Sequence, residues 1–230
     1  MERRALALIF AACAACAFQA ACGGSEHAHQ EERAPPAASS TAPAAPPDNR
    51  PIIVAFGDSL TAGVAGRSYP DDLQDLLDQH GLSYRVENQG VAGDTSTDGL
   101  ARIDNVIGEH PALVLLEFGG NDGLRGTPLD AIRQNLVAMI ERLQAAYLST
   151  VLLGITLPPN YGAEYVKSFT AMYPDLAKQF RLKYIPFLLL HVYKMPGMMQ
   201  PDGIHPSGEG NKIVAQDVLD LIQPMLSPKS

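Results

Sequence analysis

From Pro51 onward, short runs of apolar and β-branched residues alternate with stretches whose apolar positions recur at helical spacing. The runs at residues 52–56, 84–87, 112–118, 150–155 and 184–189 read as strands, because they are short, rich in Val, Ile, Leu, Phe and Tyr, and bounded by Gly, Pro, Asn or Asp. The run at 112–116, Ala-Leu-Val-Leu-Leu, is apolar at every position, which fits a central strand covered on both faces. Between the strands, residues 71–80 carry Leu73, Leu76 and Leu77 on one face, and residues 129–146 carry Ile132, Leu136, Met139, Ile140 and Leu143. That is the 3.6-residue period of an amphipathic helix, and these side chains read as core. A last helix is expected over 207–222. Gly81 reads as a helix stop, and His80 and His110 lie near helix C-termini, where a cation is favoured and a structural role suffices. Strands alternating with helices predict an α/β domain built on a parallel sheet of about five strands.

The first fifty residues follow no such pattern. Glu2-Arg3-Arg4 forms a short basic segment, an apolar stretch of residues 5–18 follows, and Ala20-Ala21 supplies small residues before a cut, which together read as a signal peptide over residues 1–22. The apolar stretch is shorter than the roughly 20 residues that a membrane-spanning helix needs. Ala20-Ala21-Cys22-Gly23-Gly24 resembles a bacterial lipobox, so Cys22 is the candidate lipidation site, with Cys16 after Ala14-Ala15 as a competing site and plain periplasmic secretion as the alternative. Residues 23–50 are rich in Ala, Pro, Ser and charge and read as a disordered tether, with His27 and His29 solvated inside it. At random-coil dimensions its reach is roughly 30 Å. The expected organisation is therefore a leader, a tether and one folded domain over residues 51–230, exported to the periplasm and anchored there by lipid at Cys22.

Composition narrows the domain further. An apolar fraction of 46% with 18% charged residues is ordinary for a globular protein and outside the disordered class. With 17 Lys and Arg against 25 Asp and Glu, the chain has a net charge of −8 and no basic face for a phosphate backbone, so nucleic acid is set aside as a partner. The three cysteines, Cys13, Cys16 and Cys22, all precede the domain, which leaves it no internal disulfide and no cysteine-ligated metal. No metal and no organic cofactor is expected.

In open parallel sheets, ligands bind outside the carboxyl ends of the strands. Three of the predicted strands run there into loops of glycine and small polar residues: Gly57-Asp58-Ser59-Leu60-Thr61-Ala62-Gly63, Asn88-Gln89-Gly90-Val91-Ala92-Gly93-Asp94-Thr95 and Gly119-Gly120-Asn121-Asp122-Gly123. Late in the chain, Asp202-Gly203-Ile204-His205-Pro206 sets a carboxylate and an imidazole three residues apart, just before the last helix. Serine hydrolysis needs these parts. A hydroxyl becomes a competent nucleophile when an imidazole accepts its proton, and the imidazole works best when a carboxylate fixes its tautomer. Ser59, Asp202 and His205 are the candidate triad. Thr61 stands where an α/β-hydrolase nucleophile elbow would have glycine. Ser96 lacks a comparable setting, and His191, after the apolar run 187–190, reads as a satisfied near-core histidine.

Taken together, the four loops resemble the sequence blocks of the SGNH, or GDSL, hydrolase family. The resemblance runs from Pro51 to about Pro224 and is strongest toward the bacterial thioesterase I, protease I and lysophospholipase L1 (arylesterase-like) subgroup, through residues 117–126, 157–162 and 199–206. It implies a flavodoxin-like three-layer α/β/α fold with strand order 2-1-3-4-5. It makes Ser59 the nucleophile, Asp202 and His205 the rest of the triad, and Gly93 and Asn121, with the Ser59 backbone, the oxyanion hole. Three donors converging on the developing oxyanion would lower the barrier, and the missing side chain of Gly93 would let the acyl group approach the backbone. Substrate contacts are implied for the loops carrying Leu124, Leu157 and Pro158. Met195, Met198 and Met199 are a further candidate rim or simple loop packing.

The function this implies is hydrolysis of carboxylic or thio esters, with a lipid or other small-molecule ester as substrate. Two rivals stay open: a carbohydrate O-deacetylase of the same family, and a non-catalytic flavodoxin-like binding module.

Overall fold

The computed structural model describes residues 48–64 and 66–226. The leader, the lipidation candidate Cys22 and nearly all of the tether lie outside them.

Five parallel strands form one sheet: β1 (Ile52–Gly57), β2 (Arg85–Gly90), β3 (Leu113–Glu117), β4 (Thr150–Leu153) and β5 (Lys183–Ile185), in the order β2-β1-β3-β4-β5. β1, β3 and β4 are almost completely buried, whereas the edge strands β2 and β5 keep partly exposed residues. This is why β1 and β3 read as continuous apolar runs. Helices α2 (Tyr69–Gln79) and α7 (Gly208–Ile222) pack together on one face of the sheet. On the other face lie α3 (Ser96–Gly108), α5 (Leu129–Ala145) and α6 (Ala163–Phe180). The result is the expected three-layer α/β/α architecture. Leu73 and Leu77 of α2 and the five apolar residues named for α5 are all fully buried.

Local chemistry sets where the helices begin. Ser68 and Thr95 each cap a helix and form a capping box with Asp71 and Asp98, pairing two otherwise unmet backbone donors at each end.

Two strand ends differ from the sequence reading by three residues or more. β2 runs on through Asn88, Gln89 and Gly90, which the residue pattern places in a loop, because pairing with β1 continues as far as Gly57 opposite Gly90 and a half-exposed edge strand accepts polar residues. β5 stops at Ile185 rather than at residue 189. Pro186 has no N–H to extend the ladder, and Leu188 and Leu189 are buried in a turn, with the Leu188 N–H donating to Gly154 O at 2.8 Å.

The chain leaves β1 toward β2 on one side and β3 toward β4 on the other. The carboxyl ends of β1 and β3 therefore flank the topological switch, where a doubly wound sheet opens a crevice. Register places Gly57 beside Glu117 on β3 and beside Gly90 on β2, so the loops that follow all three strands emerge together.

Candidate active site

Backbone of minimal bulk is needed where β1 turns into the first helix. A Cβ on Gly57 would stand 2.2 Å from Thr61 Oγ1 and 2.4 Å from Glu117 Oε2, and one on Gly90 would stand 2.1 Å from Ala62 N. With those two side chains absent, a four-residue helix α1 (Ser59–Ala62) lies tight against the sheet edge. Asp58 caps it by accepting the Leu60 N–H at 3.0 Å. Ser59 is its first residue, so the Ser59 N–H has no partner inside the helix.

The Ser59 hydroxyl meets His205 Nε2 at 2.8 Å, and His205 Nδ1 meets Asp202 Oδ2 at 2.7 Å. The other Asp202 oxygen accepts the backbone N–H groups of Ile204 at 2.9 Å and His205 at 3.0 Å. Burial pushes the Asp202 carboxyl up, but the hydrogen bonds from the His205 side chain and from the two backbone N–H groups outweigh it and hold the group at about 2. An ionised carboxylate only accepts, so Nδ1 carries the imidazole proton and Nε2 of the neutral ring is left to accept from Ser59. The loop is fixed by the Met199–Pro206 bridge, by Gln200 N donating to His205 O and by Ser207 N donating to Met198 O.

Asn121 lies in α4 (Gly120–Leu124), a short helix after β3 whose N-cap, Gly119, has φ +117°. A Cβ there would lie 2.5 Å from Tyr173 Oη. The amide of Asn121 donates to Asp58 Oδ2 at 3.1 Å and to Asp94 O at 2.9 Å, so both of its N–H groups are already held. Gly93 has φ +88°, in the left-handed region that favours glycine. The nearest atom to a Cβ there is Arg125 Nη2, at 4.0 Å, so backbone conformation rather than crowding within the protein accounts for the glycine. Its carbonyl accepts from Arg125 at 3.0 Å.

Ser59, Asn121 and His205 open onto one cavity of about 270 Å³. Leu124, Leu157 and Pro158, the residues implied for substrate contact, line it, together with Leu60, Ile155, Phe187, Leu189 and Tyr193. Gly93 is not in that lining and reaches it only through its neighbour Asp94, which holds Asn121. Met195, Met198 and Met199 do not line it either: Met195 is exposed, and Met198 and Met199 pack against the core. His191 is not near-core. It is exposed at the surface and pairs with Asp217 of α7 at 2.8 Å. Ser96 is buried, and its N–H and hydroxyl both donate to Asp122 at 2.7 Å, which ties α3 to α4.

Sequence reasoning missed Phe187, Leu189 and Tyr193, which reach the cavity from the turn beyond β5. It also missed a buried acid pair beneath Ser59. Asp58 and Glu117 are both essentially inaccessible to solvent. Burial pushes Asp58 up to about 6, partly offset by the Leu60 N–H bond. Burial and then the Asp58 charge push Glu117 well above the carboxylate range. The available signal was an acidic residue closing a wholly apolar strand. Among the described residues, no group of three or more His, Cys, Asp or Glu side chains converges to hold a metal ion.

Comparison with known proteins gives the same outline. The model of the GDSL-like Lipase/Acylhydrolase family matches residues 55–213. The chain is 39% identical over 178 residues to the esterase TesA of Pseudomonas aeruginosa, covering 76% of this chain and 89% of that one. It is 38% identical over 182 residues to thioesterase 1/protease 1/lysophospholipase L1 of Escherichia coli, covering 77% and 86%. Among solved structures, the psychrotrophic esterase EstA from Pseudoalteromonas sp., inhibited by monoethylphosphonate, superposes with a TM-score of 0.71 at 31% identity, covering 76% of this chain and 97% of EstA.

Proposed function

Because this chain belongs to the GDSL-like lipase/acylhydrolase family and is a serine esterase of it, we propose that Ser59, His205 and Asp202 form its catalytic triad and that its substrates are carboxylic or thio esters with an apolar acyl chain. The observation that carries this reading is the unbroken series from Asp202 through His205 to Ser59, at 2.7 and 2.8 Å, at the mouth of an apolar cavity.

His205 Nε2 accepts the Ser59 proton as Oγ attacks the ester carbonyl, and Asp202 stabilises the imidazolium that forms. Negative charge moves to the carbonyl oxygen, where the Ser59 N–H, the Gly93 N–H and the Asn121 amide are its donors. Asn121 serves by sharing an N–H that Asp58 or Asp94 holds in the resting enzyme. The imidazolium returns its proton to the departing alcohol or thiol, leaving an acyl-Ser59. Water, deprotonated by His205, then releases the acid and regenerates the serine.

The cavity favours chains longer than acetyl, because Leu124, Leu157, Phe187 and Leu189 line it with apolar surface that an acyl chain can cover. A panel of esters varying in acyl length and leaving group, run beside Ser59→Ala and a fluorophosphonate label, tests the proposal. Turnover that extends to medium chains supports it. Activity confined to acetyl esters would point instead to a deacetylase, and failure of the serine to label would point to a binding module.

The residue pattern of the N-terminus supports export and a lipid anchor at Cys22, placing the enzyme at a periplasmic membrane face, where lipid esters are at hand. With Cys22→Ser, the protein should leave the membrane fraction while its activity in detergent stays the same. Wild-type protein recovered wholly in the soluble fraction refutes the anchor.

A further inference from the structure

β3 ends on Glu117, a carboxyl wholly buried beneath the turn that carries Ser59. Its Oε2 accepts the Asp58 N–H at 3.0 Å and the Thr61 hydroxyl at 2.9 Å, so one atom grips the chain on both sides of Ser59. Asp58 extends the series. Its Oδ1 accepts the Leu60 N–H at 3.0 Å, and its Oδ2 accepts the Asn121 amide at 3.1 Å. A continuous hydrogen-bonded path thus joins the end of β3 to the Ser59 turn and to the Asn121 amide.

The charge state of this pair follows from what surrounds each oxygen. Glu117 Oε1 is enclosed and meets no N–H or O–H donor. Neither Glu117 nor Asp58 forms an ion pair with Lys, Arg or His among the described residues. Two adjacent carboxyls in a site without a counter-cation do not both ionise. Asp58 has donors on both oxygens and keeps the charge. Glu117, with one oxygen enclosed and unmet, takes the proton. As a neutral acid it still accepts with Oε2 from the Asp58 N–H and the Thr61 hydroxyl, and no buried charge is left on the unmet oxygen.

We propose that Glu117 is a positioning residue that works in its neutral form, acting through Asp58 to hold the Ser59 turn and to aim the Asn121 amide. The proposal rests on the reading of Ser59 and Asn121 given above. Glutamine reproduces the shape and neutrality of a protonated glutamate, with a carbonyl for the Asp58 N–H and the Thr61 hydroxyl. Leucine fills similar volume and offers no acceptor.

Full-length Glu117→Gln should therefore retain turnover within about threefold of wild type, whereas Glu117→Leu should lower it by about 10- to 100-fold with the Michaelis constant little changed, the size expected for one or two unmet buried hydrogen bonds. A Gln variant as impaired as the Leu variant shows that an ionised Glu117 is needed, and overturns the neutral form. A Leu variant with normal turnover overturns the positioning role, as does one that changes only thermal stability. In a double-mutant cycle, Glu117→Leu and Asn121→Ala should lose less together than the product of their separate losses. A full product refutes coupling through Asp58. Should the Leu variant not fold, infrared spectroscopy decides: wild type at pH 7 should show a neutral-carboxyl stretch that Glu117→Gln lacks, and its absence from wild type overturns the proposal. That band is read without turnover. It therefore reports on Glu117 even if Ser59→Ala were to show the catalytic reading wrong.

Discussion

Asp58 and Asp202 both reach the Ser59–His205 pair, yet the protein treats them in opposite ways. Asp58 is 2% exposed and is pushed up to about 6 by burial. The Asp202 side chain is 42% exposed and is held at about 2 because the imidazole and two backbone N–H groups all donate to it. Solvent access and donors decide the outcome, not residue type. The difference extends to the structure around each carboxylate. Asp202 is bound by residues two and three positions away in sequence. Asp58 belongs to a framework of long-range bonds, to Glu117 and Asn121, made across the ends of separate strands. One half of the site is a local motif, and the other is a consequence of the fold.

The largest effect should come from breaking the link between the halves. Ser59→Ala or His205→Ala should each lower turnover by about 10⁴-fold or more, and combining them should cost little beyond either alone, because nucleophile and base act as a unit. Steady-state kinetics with circular dichroism separates this from unfolding. Losses that multiply in the double variant would mean that the 2.8 Å contact does not function as a catalytic pair.

Asn121→Ala strikes the framework half. The donor matters most once charge has developed on the carbonyl oxygen, so turnover should fall by roughly 10²- to 10³-fold, about 3 to 4 kcal/mol, with a smaller change in the Michaelis constant. If the Michaelis constant rises while turnover holds, Asn121 binds the ground state and the oxyanion role moves to the backbone donors.

This division also explains what the sequence made visible. Ser59, Asp202 and His205 stood out as candidates because glycine-flanked polar residues after apolar runs are conspicuous and Asp202 and His205 are neighbours in the chain, whereas Asn121 was singled out by the family resemblance. β1 and β3 were legible because burial on both faces leaves an uninterrupted apolar run, and α5 because burial of one face leaves a periodic one. Helix α3, written Ser-Thr-Asp-Gly-Leu-Ala-Arg at its start, was marked only by its C-terminal end near His110, because its buried Ser96 is satisfied by Asp122 and reads as a loop residue when taken alone. Helix α6 carries Pro174 in its interior, which masks its period. The cavity residues Phe187, Leu189 and Tyr193 depend on packing between segments distant in sequence, and no local pattern announces them, while the only local mark of Glu117 is an acid closing an apolar strand. The apolar run before His191 suggests a near-core position, yet Leu190 beside it is itself exposed and the turn directs His191 to solvent and to Asp217.

The smallest effect, and the one that sets the two carboxylates against each other most directly, is the pH dependence of stability. Asp202 has a folded value of about 2, below its ordinary 3.8, so its contribution is complete above about pH 4 and is lost as pH falls through about 2. The buried pair has the opposite sign. Asp58, raised to about 6, favours the protonated fold, so its contribution is complete below about pH 4 and fades as pH rises through about 6. Urea unfolding of the described domain in its full-length chain, followed from pH 2 to pH 8, should therefore show stability lost toward both ends from these groups. Asp202→Asn should flatten only the acid side, between about pH 4 and pH 2. Because the Asp202 side chain is 42% exposed, screening should keep that change below about 1 kcal/mol. The slope between pH 4 and pH 6 should match wild type, since the Asp58–Glu117 pair is untouched. An Asp202→Asn curve that also changes there would show that the two carboxylates titrate as one coupled system across His205, and the separation of the site into a local and a framework half would fail.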